Sequence, residues 1–477
     1  MRNLIGEKGI PARAIKGRGH IFARIAALVA LALFAAAPVS SAVTEKTLYA
    51  FPSNGSKGCH PVGTLLRDGA GALYGATFEC GTGGYGTVFK LVPPLAGQTT
   101  WSVSVLRSFS EDANGSALNA NLVMGANGAV YGTAAEDGDY LKGLVFRLNP
   151  PAPGQTNWTE TVLHAFDYNF AYNIADGSEP NDVISDNNGM LYGTTYRGGT
   201  TADPYGFGFG TVFKLAPPIP GETQWKETVL YQFNGGTDGQ NPLAALTRDS
   251  SGALYGTAFS GGGSQNCLDQ YGYVVGCGTV FKLTPPLPGS TNWKKVTLHR
   301  FAGGADGASP LGKLLLDRSG TLYGTTTQGG NGRCDDGVGN IVGCGTVFKL
   351  IPPAPGQTAW TKTVIHHFTG ASDGASPQGG VIVDTAGNLY GTTYGGGSDI
   401  CRDDLYNNVG CGTVFKLSPP TPGQTGWTER VLYYFQGQGD GWAPVGELVT
   451  DPRGNLLGVS QLGGVPNGYG TVFEITP

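Results

Sequence analysis

Seven copies of one short phrase divide the chain into seven similar units. Leu-Tyr-Gly occurs at 73–75, 191–193, 254–256, 322–324 and 389–391, with altered copies at 130–132 and 456–458, at spacings of 57 to 68 residues. A regular period of this length is typical of repeat architectures, in which each unit packs only on its neighbours. Glycine accounts for 80 of the 477 residues without a Gly-X-Y period, which favours many short strands joined by tight turns.

Each unit contains four short stretches that are rich in β-branched and aromatic residues and are bounded by turn residues. In the fifth unit these stretches are 310–317, 321–326, 345–350 and 363–368. Apolar residues point to both faces of several of them, as expected for a sheet packed between two neighbouring sheets. We therefore predict an all-β fold, a seven-bladed β-propeller of four-stranded antiparallel blades.

The phase of the repeat at the two chain ends predicts how the ring closes. Residues 46–51 match the fourth strand of a unit, whereas residues 470–475 match the third strand of the seventh unit. If the N-terminal strand completes the last blade, two exposed sheet edges disappear. We expect residues 43–477 to form a single propeller domain that is closed in this way.

Residues 1–42 have the pattern of a secretory signal peptide. Six basic residues and one acidic residue precede an apolar run at 25–37, and small residues lead to a cleavage position before Val43. The alternative is an uncleaved N-terminal membrane anchor. We expect a secreted, extracellular or periplasmic protein with no transmembrane segment after cleavage. Removing the leader takes the formal net charge from −5 to −10, and no cluster of Lys and Arg remains, so nucleic acid is not expected as a partner.

The combined motifs Leu-Tyr-Gly-Thr-Thr, Gly-Gly, Gly-Thr-Val-Phe-Lys-Leu and Asp-Gly-x-x-Pro resemble the choice-of-anchor tandem repeat GloVer-containing family over nearly all of residues 44–477. This resemblance implies an exported bacterial repeat protein with a propeller fold, and many such proteins carry a C-terminal surface-sorting anchor. The sequence departs from that pattern, because it ends at Pro477 within the repeat, which leaves surface retention open. The resemblance implies no reaction, substrate or catalytic residue.

The eight cysteines predict four disulfides within units, because an even count in an exported chain is typical of a disulfide framework. Three pairs are separated by nine residues and end directly before Gly-Thr-Val-Phe-Lys-Leu. The fourth pair joins the entrance of a first strand to the end of a second strand. The predicted pairs are Cys59–Cys80, Cys267–Cys277, Cys334–Cys344 and Cys401–Cys411. A zinc site is disfavoured, since neither Cys-x-x-Cys nor paired histidines occur.

One mouth of the predicted ring should be acidic, because two sets of loops meet there. The candidate ligand-binding residues are Asp176, Asp238, Asp306, Asp373 and Asp440 in the loops entering the first strands, and Asp335, Asp336, Asp403 and Asp404 in the disulfide-closed loops. Such carboxylates could hold Ca²⁺ or accept hydrogen bonds from carbohydrate hydroxyls. Asp-Gly is also an ordinary turn signature. This structural interpretation is favoured for the first set, and both interpretations stay open for the second.

A connector between the third and fourth strands carries one tryptophan in most units. These residues are Trp101, Trp158, Trp225, Trp293, Trp360 and Trp427. They could form an aromatic belt for sugars, but a large aromatic residue at a constant repeat position more often packs between units. We therefore expect a packing role at the rim of the blades.

No catalytic motif emerges, and we predict a binding or scaffold module rather than an enzyme. The expected partner is a polysaccharide or a surface protein, engaged by a monomer at the loop-rich mouth. One alternative is an extracellular carbohydrate-active hydrolase or lyase, since a pair of carboxylates from distant loops leaves no local pattern. Another alternative is a structural envelope protein without a specific ligand. The loops that depart most from the repeat are the disulfide-closed loops of units four to six and the segments 167–179 and 197–208 of unit three.

Overall fold

In the computed structural model, all 28 strands fall into seven four-stranded antiparallel sheets arranged in a ring, which confirms the predicted seven-bladed propeller. The structure describes residues 42–110, 118, 121–135, 142–166, 176–199, 207–269, 271–335, 339–402, 408–465 and 468–477. Three short 3-10 turns, at Ala126–Gly128, Gly236–Asp238 and Gly304–Asp306, accompany the strands. Within these ranges no helix has the length and apolar character needed to cross a membrane.

The blades follow one another along the chain, and each runs from an innermost to an outermost strand. Blade one contains β2 (Cys59–Arg67), β3 (Leu73–Glu79), β4 (Thr87–Val92) and β5 (Ser102–Ser108); blade two contains β6 (Val123–Met124), β7 (Val130–Ala134), β8 (Leu144–Asn149) and β9 (Thr159–Ala165); blade three contains β10 (Ser178–Ser185), β11 (Leu191–Arg197), β12 (Thr211–Ala216) and β13 (Lys226–Gln232).

Blade four contains β14 (Thr247–Arg248), β15 (Leu254–Ala258), β16 (Thr279–Thr284) and β17 (Lys294–Arg300); blade five contains β18 (Leu315–Leu316), β19 (Leu322–Thr326), β20 (Thr346–Ile351) and β21 (Thr361–His367); blade six contains β22 (Ile382–Val383), β23 (Leu389–Thr393), β24 (Thr413–Ser418) and β25 (Thr428–Tyr434). Blade seven contains β26 (Trp442–Thr450), β27 (Leu456–Leu462), β28 (Thr471–Thr476) and the N-terminal strand β1 (Thr44–Ala50).

The seam of the ring lies where the phase of the repeat predicted it. Strand β1 pairs antiparallel with β28, from Thr44 opposite Thr476 to Ala50 opposite Thr471. Beyond the strand, the Phe51 backbone N–H donates a 2.9 Å hydrogen bond to the Gly470 carbonyl. The last blade is therefore built from both ends of the propeller. Without β1 its outer edge at β28 would be unpaired.

The innermost strands are shorter than the sequence suggested. In blades two, four, five and six this strand is two residues long, whereas in blades one, three and seven it is eight or nine residues long with an interrupted register. The residue before the proline has left-handed backbone in blades of both kinds: Asn241, Ser309 and Ser376 belong to blades with short strands, and His60, Glu179 and Ala443 to blades with long ones. This bend is therefore common to the repeat and does not set the strand length.

Neighbouring blades pack through a repeated pair of phenylalanines. The Phe after the outermost strand of one blade contacts the Phe in the third strand of the next, as in Phe166–Phe213 with ring centroids 5.2 Å apart. Glycine in the Leu-Tyr-Gly phrase makes room for the second ring, because a Cβ on Gly193 would lie 2.5 Å from Phe213 Cζ. The strongest motif of the sequence is thus a packing requirement.

The loops at one end of each blade form the mouth that the sequence predicted. The loop between the second and third strands contacts the loop that enters the same blade, as in the Gly330 N–H to Gly304 carbonyl bond of 2.8 Å in blade five. The four predicted disulfides, Cys59–Cys80, Cys267–Cys277, Cys334–Cys344 and Cys401–Cys411, all form at this mouth. Four disulfides fit an extracellular or periplasmic protein, since thiols stay reduced in the cytosol.

Candidate functional site

A cavity of about 270 Å³ lies on the axis of the ring, where the innermost segments of the blades converge. One repeat position, the residue directly before the buried Leu or Val of each innermost segment, supplies much of its wall. In blades one to seven this position is occupied by Thr64, Asn121, Asp182, Ala245, Lys313, Gly380 and Glu447. A position shared by seven related units thus carries seven different side chains, three of them ionisable.

Hydrogen bonds link this position across four consecutive blades. The Glu447 backbone N–H donates to Thr64 Oγ1 at 3.0 Å, and the Thr64 N–H donates to Asn121 Oδ1. Asn121 in turn donates its Nδ2–H to Asp182 Oδ2 at 2.7 Å and its backbone N–H to Asp182 Oδ1. The Asp182 carboxylate is therefore held in place by Asn121, while the chain of bonds orients the backbone beside Glu447.

Burial raises the pKa of both channel carboxyl groups towards neutral pH. Burial raises the pKa of Asp182 to about 6, although the Asn121 hydrogen bonds and the Lys313 charge act in the opposite direction. Burial also raises the pKa of Glu447 to about 7, with Lys313 lowering it and Asp182 raising it. Lys313 is thus the positive charge that both carboxyl groups share.

Gly380 gives the Glu447 side chain its place in the channel. A Cβ on Gly380 would lie 2.3 Å from Glu447 Oε1 and 2.4 Å from the Lys313 carbonyl oxygen. Any other residue at this position would meet both neighbours at distances far below van der Waals contact. The Glu447 carboxylate therefore occupies the space that is free because residue 380 is glycine.

The first set of predicted aspartates lies at the mouth, but its carboxylates face the protein. Asp306 accepts hydrogen bonds from His299 Nε2 at 3.0 Å and from the Ala302 backbone N–H at 2.8 Å, and Lys362 Nζ lies 2.7 Å away. These partners hold the pKa of Asp306 well below its usual range, against the effect of burial.

The remaining aspartates of that set make equivalent contacts. Asp238, Asp373 and Asp440 each accept the backbone N–H four residues earlier, and Asp176 lies 3.5 Å from His164. This is the turn-closing geometry expected of Asp-Gly loops. A ligand-binding role for these five residues stays a prediction.

The acids of the disulfide-closed loops are described only in part. Asp335 pairs through its backbone with Ile341 in a small hairpin, whereas Asp336, Asp403 and Asp404 lie outside the described residues. Within the described ranges, no group of three or more His, Cys, Asp or Glu side chains is arranged to hold a metal ion. Calcium binding by these loops stays a prediction.

The connector tryptophans pack between blades, as expected. Trp225, Trp293, Trp360 and Trp427 each contact the tyrosine of the Leu-Tyr-Gly position one blade earlier, with ring centroids 6.2 to 6.5 Å apart. All six connector tryptophans are half-buried against the inter-blade cores. They therefore form wedges and not an open aromatic belt.

Sequence reasoning missed the channel residues Asp182, Lys313 and Glu447. It searched for unusual acids in the mouth loops, whereas these residues lie within the innermost segments. A signal was present: aligning the units on the Leu or Val that comes next places Thr64, Asn121, Asp182, Ala245, Lys313, Gly380 and Glu447 in one column. Neighbouring columns vary as well, so this column becomes informative only once the ring brings it to the axis.

The fold and the site define a class of protein: a seven-bladed β-propeller with an axial channel that carries two carboxyl groups and one amine. The chain belongs to the Gloeobacter/Verrucomicrobia repeat family, whose profile matches residues 32–268, 220–400 and 336–477. This match confirms the resemblance noted from the repeat motifs. No curated protein matches the chain.

Solved structures share the propeller fold at low sequence identity. A polysaccharide lyase, an ulvan lyase bound to a saccharide of GlcA and Rha3S, is 10% identical with a TM-score of 0.51, covering 90% of this chain and 95% of its own. The PQQ domain of pyranose dehydrogenase from Coprinopsis cinerea is 12% identical with a TM-score of 0.44, covering 92% and 96%. A 6-phosphogluconolactonase homologue from Bacteroides uniformis is 14% identical with a TM-score of 0.44, covering 80% and 85%. Identities this low establish the fold alone.

Proposed function

We propose that this protein is an exported binding module that takes a saccharide into its axial channel. The observation that carries the proposal is the convergence of Asp182, Lys313 and Glu447 at one variable repeat position in a cavity of about 270 Å³. Concave sites with a few converging polar groups are the usual places for small polar ligands. The size of the cavity suits one sugar unit, such as the end of a chain.

The chemistry of the three side chains supports a hydroxyl-rich ligand. Burial disfavours the charged forms of Asp182 and Glu447, and only one amine is present to compensate them. Sugar hydroxyls would donate hydrogen bonds to both carboxylates, while the Lys313 ammonium would donate to a hydroxyl or ring oxygen. Asp182 would keep its hydrogen bonds from Asn121, and the ligand would add donors to those that the channel already supplies.

Export is the second part of the proposal. The predicted cleavage position before Val43 leaves the whole of β1 in the mature chain, since that strand begins at Thr44. The leader would thus be removed without loss of the strand that closes the ring. Mass spectrometry of the protein recovered from the periplasm or medium tests this directly, and an unprocessed N-terminus in the membrane fraction would favour the uncleaved anchor.

A glycan array probed with the purified mature chain tests the binding proposal. We expect retention on at least one saccharide class, with loss of binding in Glu447→Gln and Lys313→Met. Glu474→Gln serves as the matched control, because Glu474 lies on β28 and bonds Asn455 outside the channel. Equal binding by the wild type and the three variants would exclude the channel as the binding site. No binding by the wild-type chain would favour a purely structural role.

The raised pKa of Glu447 supports a second candidate, a carbohydrate-active hydrolase or lyase. A carboxyl group with a pKa of about 7 can donate or accept a proton at neutral pH, and Asp182 with Lys313 would stabilise developing charge. Incubation with the saccharides retained on the array, followed by mass analysis for shortened or unsaturated products, distinguishes the candidates. Products formed by the wild-type chain and lost in Glu447→Gln would identify an enzyme, whereas retention without products would identify a binding module.

The mouth aspartates contribute to the proposal only as a rim around the channel. Because Asp238, Asp306, Asp373 and Asp440 already accept backbone hydrogen bonds, a ligand would compete with the turns for their carboxylates. The array run with and without EDTA tests the calcium interpretation, since EDTA-insensitive binding would contradict a role for Ca²⁺.

A further inference from the structure

Trp442 is the one tryptophan of the sequence outside the connector position. It is the first residue of β26, two residues after Asp440 in the loop that enters blade seven. At the equivalent position blades five and six carry Ala308 and Ala375, which are buried. Trp442 is instead partly exposed at the mouth, while its buried part packs against the cluster that contains Cys401 and Cys411. Blades five and six form this position with alanine, so the repeat itself does not require an aromatic residue here.

A cleft of about 600 Å³ opens beside Trp442 between the loop that enters blade seven and the loop after β27. Five glycines form much of its surface, and the other lining side chains are Gln438, Trp442, Leu462 and Val465. The indole lies over bare backbone, because a Cβ on Gly463 would be 3.0 Å from Trp442 Cδ1. An aromatic face, exposed amides and an uncharged side-chain amide are thus collected in one cleft.

The described residues that line the cleft carry no charge. The nearest acid in sequence, Asp440, is turned inwards and accepts hydrogen bonds from the Tyr433 hydroxyl at 2.9 Å and the Gln436 N–H at 2.8 Å. These residues offer no counter-ion to a charged ligand. A neutral polyhydroxylated ring would find an aromatic face in Trp442 and hydrogen-bonding groups in the backbone and Gln438. Its C–H face would pack on the indole, and its hydroxyls would bond the backbone and Gln438.

Strand β26 also connects this cleft to the channel. Trp442 and Glu447 are five residues apart on it, which corresponds to about 16 Å along an extended strand. An irregularity of the strand between Val445 and Val449 shortens this separation somewhat. An oligosaccharide can span such a distance, but a monosaccharide cannot.

We propose that Trp442 and its glycine-lined cleft form an outer subsite for a neutral sugar unit of an oligosaccharide whose end occupies the channel. This proposal rests on the saccharide-binding function proposed above and specifies its ligand as a chain with a neutral unit next to its bound end. Trp442 is a binding residue in this account, and Glu447 and Lys313 hold the other end of the ligand.

Calorimetric titration with neutral oligosaccharides, from monosaccharide to hexasaccharide, of the class retained on the array tests this proposal. We expect affinity to rise with chain length in the wild-type chain, and Trp442→Ala to remove that rise with a loss of about tenfold for the longest ligand. Affinity for the shortest ligand should stay unchanged. Trp442→Phe should keep most of the affinity, since the ring is retained.

The variant should fold, because alanine is the residue that blades five and six use at this position. A single cooperative melting transition, even at a somewhat lower temperature because the indole packs on the inter-blade cluster, checks this. If Trp442→Ala keeps the full dependence on chain length while Glu447→Gln abolishes binding, the outer subsite is wrong and the channel site stands. If Trp442→Ala weakens binding but the channel variants do not, the channel site fails instead. Absence of saccharide binding by the wild-type chain would overturn both.

Discussion

The carboxylate of Glu447 occupies the space that a side chain on Gly380 would need. A Cβ at position 380 would lie 2.3 Å from Glu447 Oε1, in a backbone conformation that is ordinary for any residue. The two residues come from adjacent blades and are the corresponding members of their units. The acid on the axis is therefore possible only because the preceding blade gives up its side chain at the same position.

Gly380→Ala should displace Glu447 and weaken saccharide binding as much as Glu447→Gln does. Since the neighbouring Lys313 carbonyl leaves no room either, we expect a loss of about 1–3 kcal/mol of stability from overpacking. Gly69→Ala is the matched control, because a Cβ there would meet nothing within 4 Å. Urea denaturation and calorimetry measure both effects. Unchanged binding in Gly380→Ala would show that the Glu447 position does not matter.

Stability should fall as the pH rises through neutrality. Burial raises the pKa of Glu227 to about 7, with the His164 charge lowering it and Asp176 raising it, and Glu227 Oε1 has no hydrogen-bond partner among the described residues. A carboxyl group whose folded pKa lies above its unfolded value stabilises the protein fully below the unfolded pKa. That contribution is lost as the pH passes the folded value. We expect denaturation midpoints to drop between about pH 5 and about pH 8, by on the order of 1 kcal/mol for this half-buried group.

Glu227→Gln should flatten that dependence and raise the midpoint at the alkaline end. Urea titrations of the variant and the wild type at both pH values provide the comparison. Glu474→Gln, a substitution on β28 where the side chain bonds Asn455, is the control and should leave the profile as it is. A profile that rises with pH in the wild type would contradict the assignment.

Each disulfide should contribute to the stability of the protein by closing a loop at the mouth. Replacing Cys267 and Cys277 by serine opens a loop of sequence separation 10, which should cost about 2–3 kcal/mol by chain entropy. The Cys59–Cys80 bridge, with a separation of 21, should cost slightly more. Thiol titration should find no free thiol in the native protein and eight after reduction. Free thiols in the unreduced protein would contradict the assigned pairs.

Removal of β1 should open the ring. A chain that begins at Phe51 leaves β28 as an exposed edge and loses the buried Leu48 side chain. We expect a lower melting temperature and self-association through the free edge, whereas the mature chain is expected to be monomeric. Sedimentation velocity and thermal melts compare this truncation with one that removes only Val43 and begins at Thr44. A monomeric truncation with an unchanged melt would show that the seam is not needed.

Sequence reasoning recovered the features that the repeat encodes seven times. The blade number follows from the sevenfold spacing, and the seam between β1 and β28 follows from the phase of the repeat at the two chain ends. Three of the disulfides recur at one position of their units, and the fourth joins two loop ends that the antiparallel blade brings together. The innermost strands of blades two, four, five and six were overestimated in length, because the residue pattern is nearly the same in blades with long and with short innermost strands. Asp182, Lys313 and Glu447 were missed because they occur once each, and only the ring brings three such positions to one axis.

A crystal structure of the mature chain with the oligosaccharide it binds best tests the central claim most directly. The account predicts a sugar unit within hydrogen-bonding distance of Asp182, Lys313 and Glu447, with the chain leaving along β26 over Trp442. A ligand held by the disulfide-closed loops or the mouth aspartates, with no sugar in the axial channel, would contradict it.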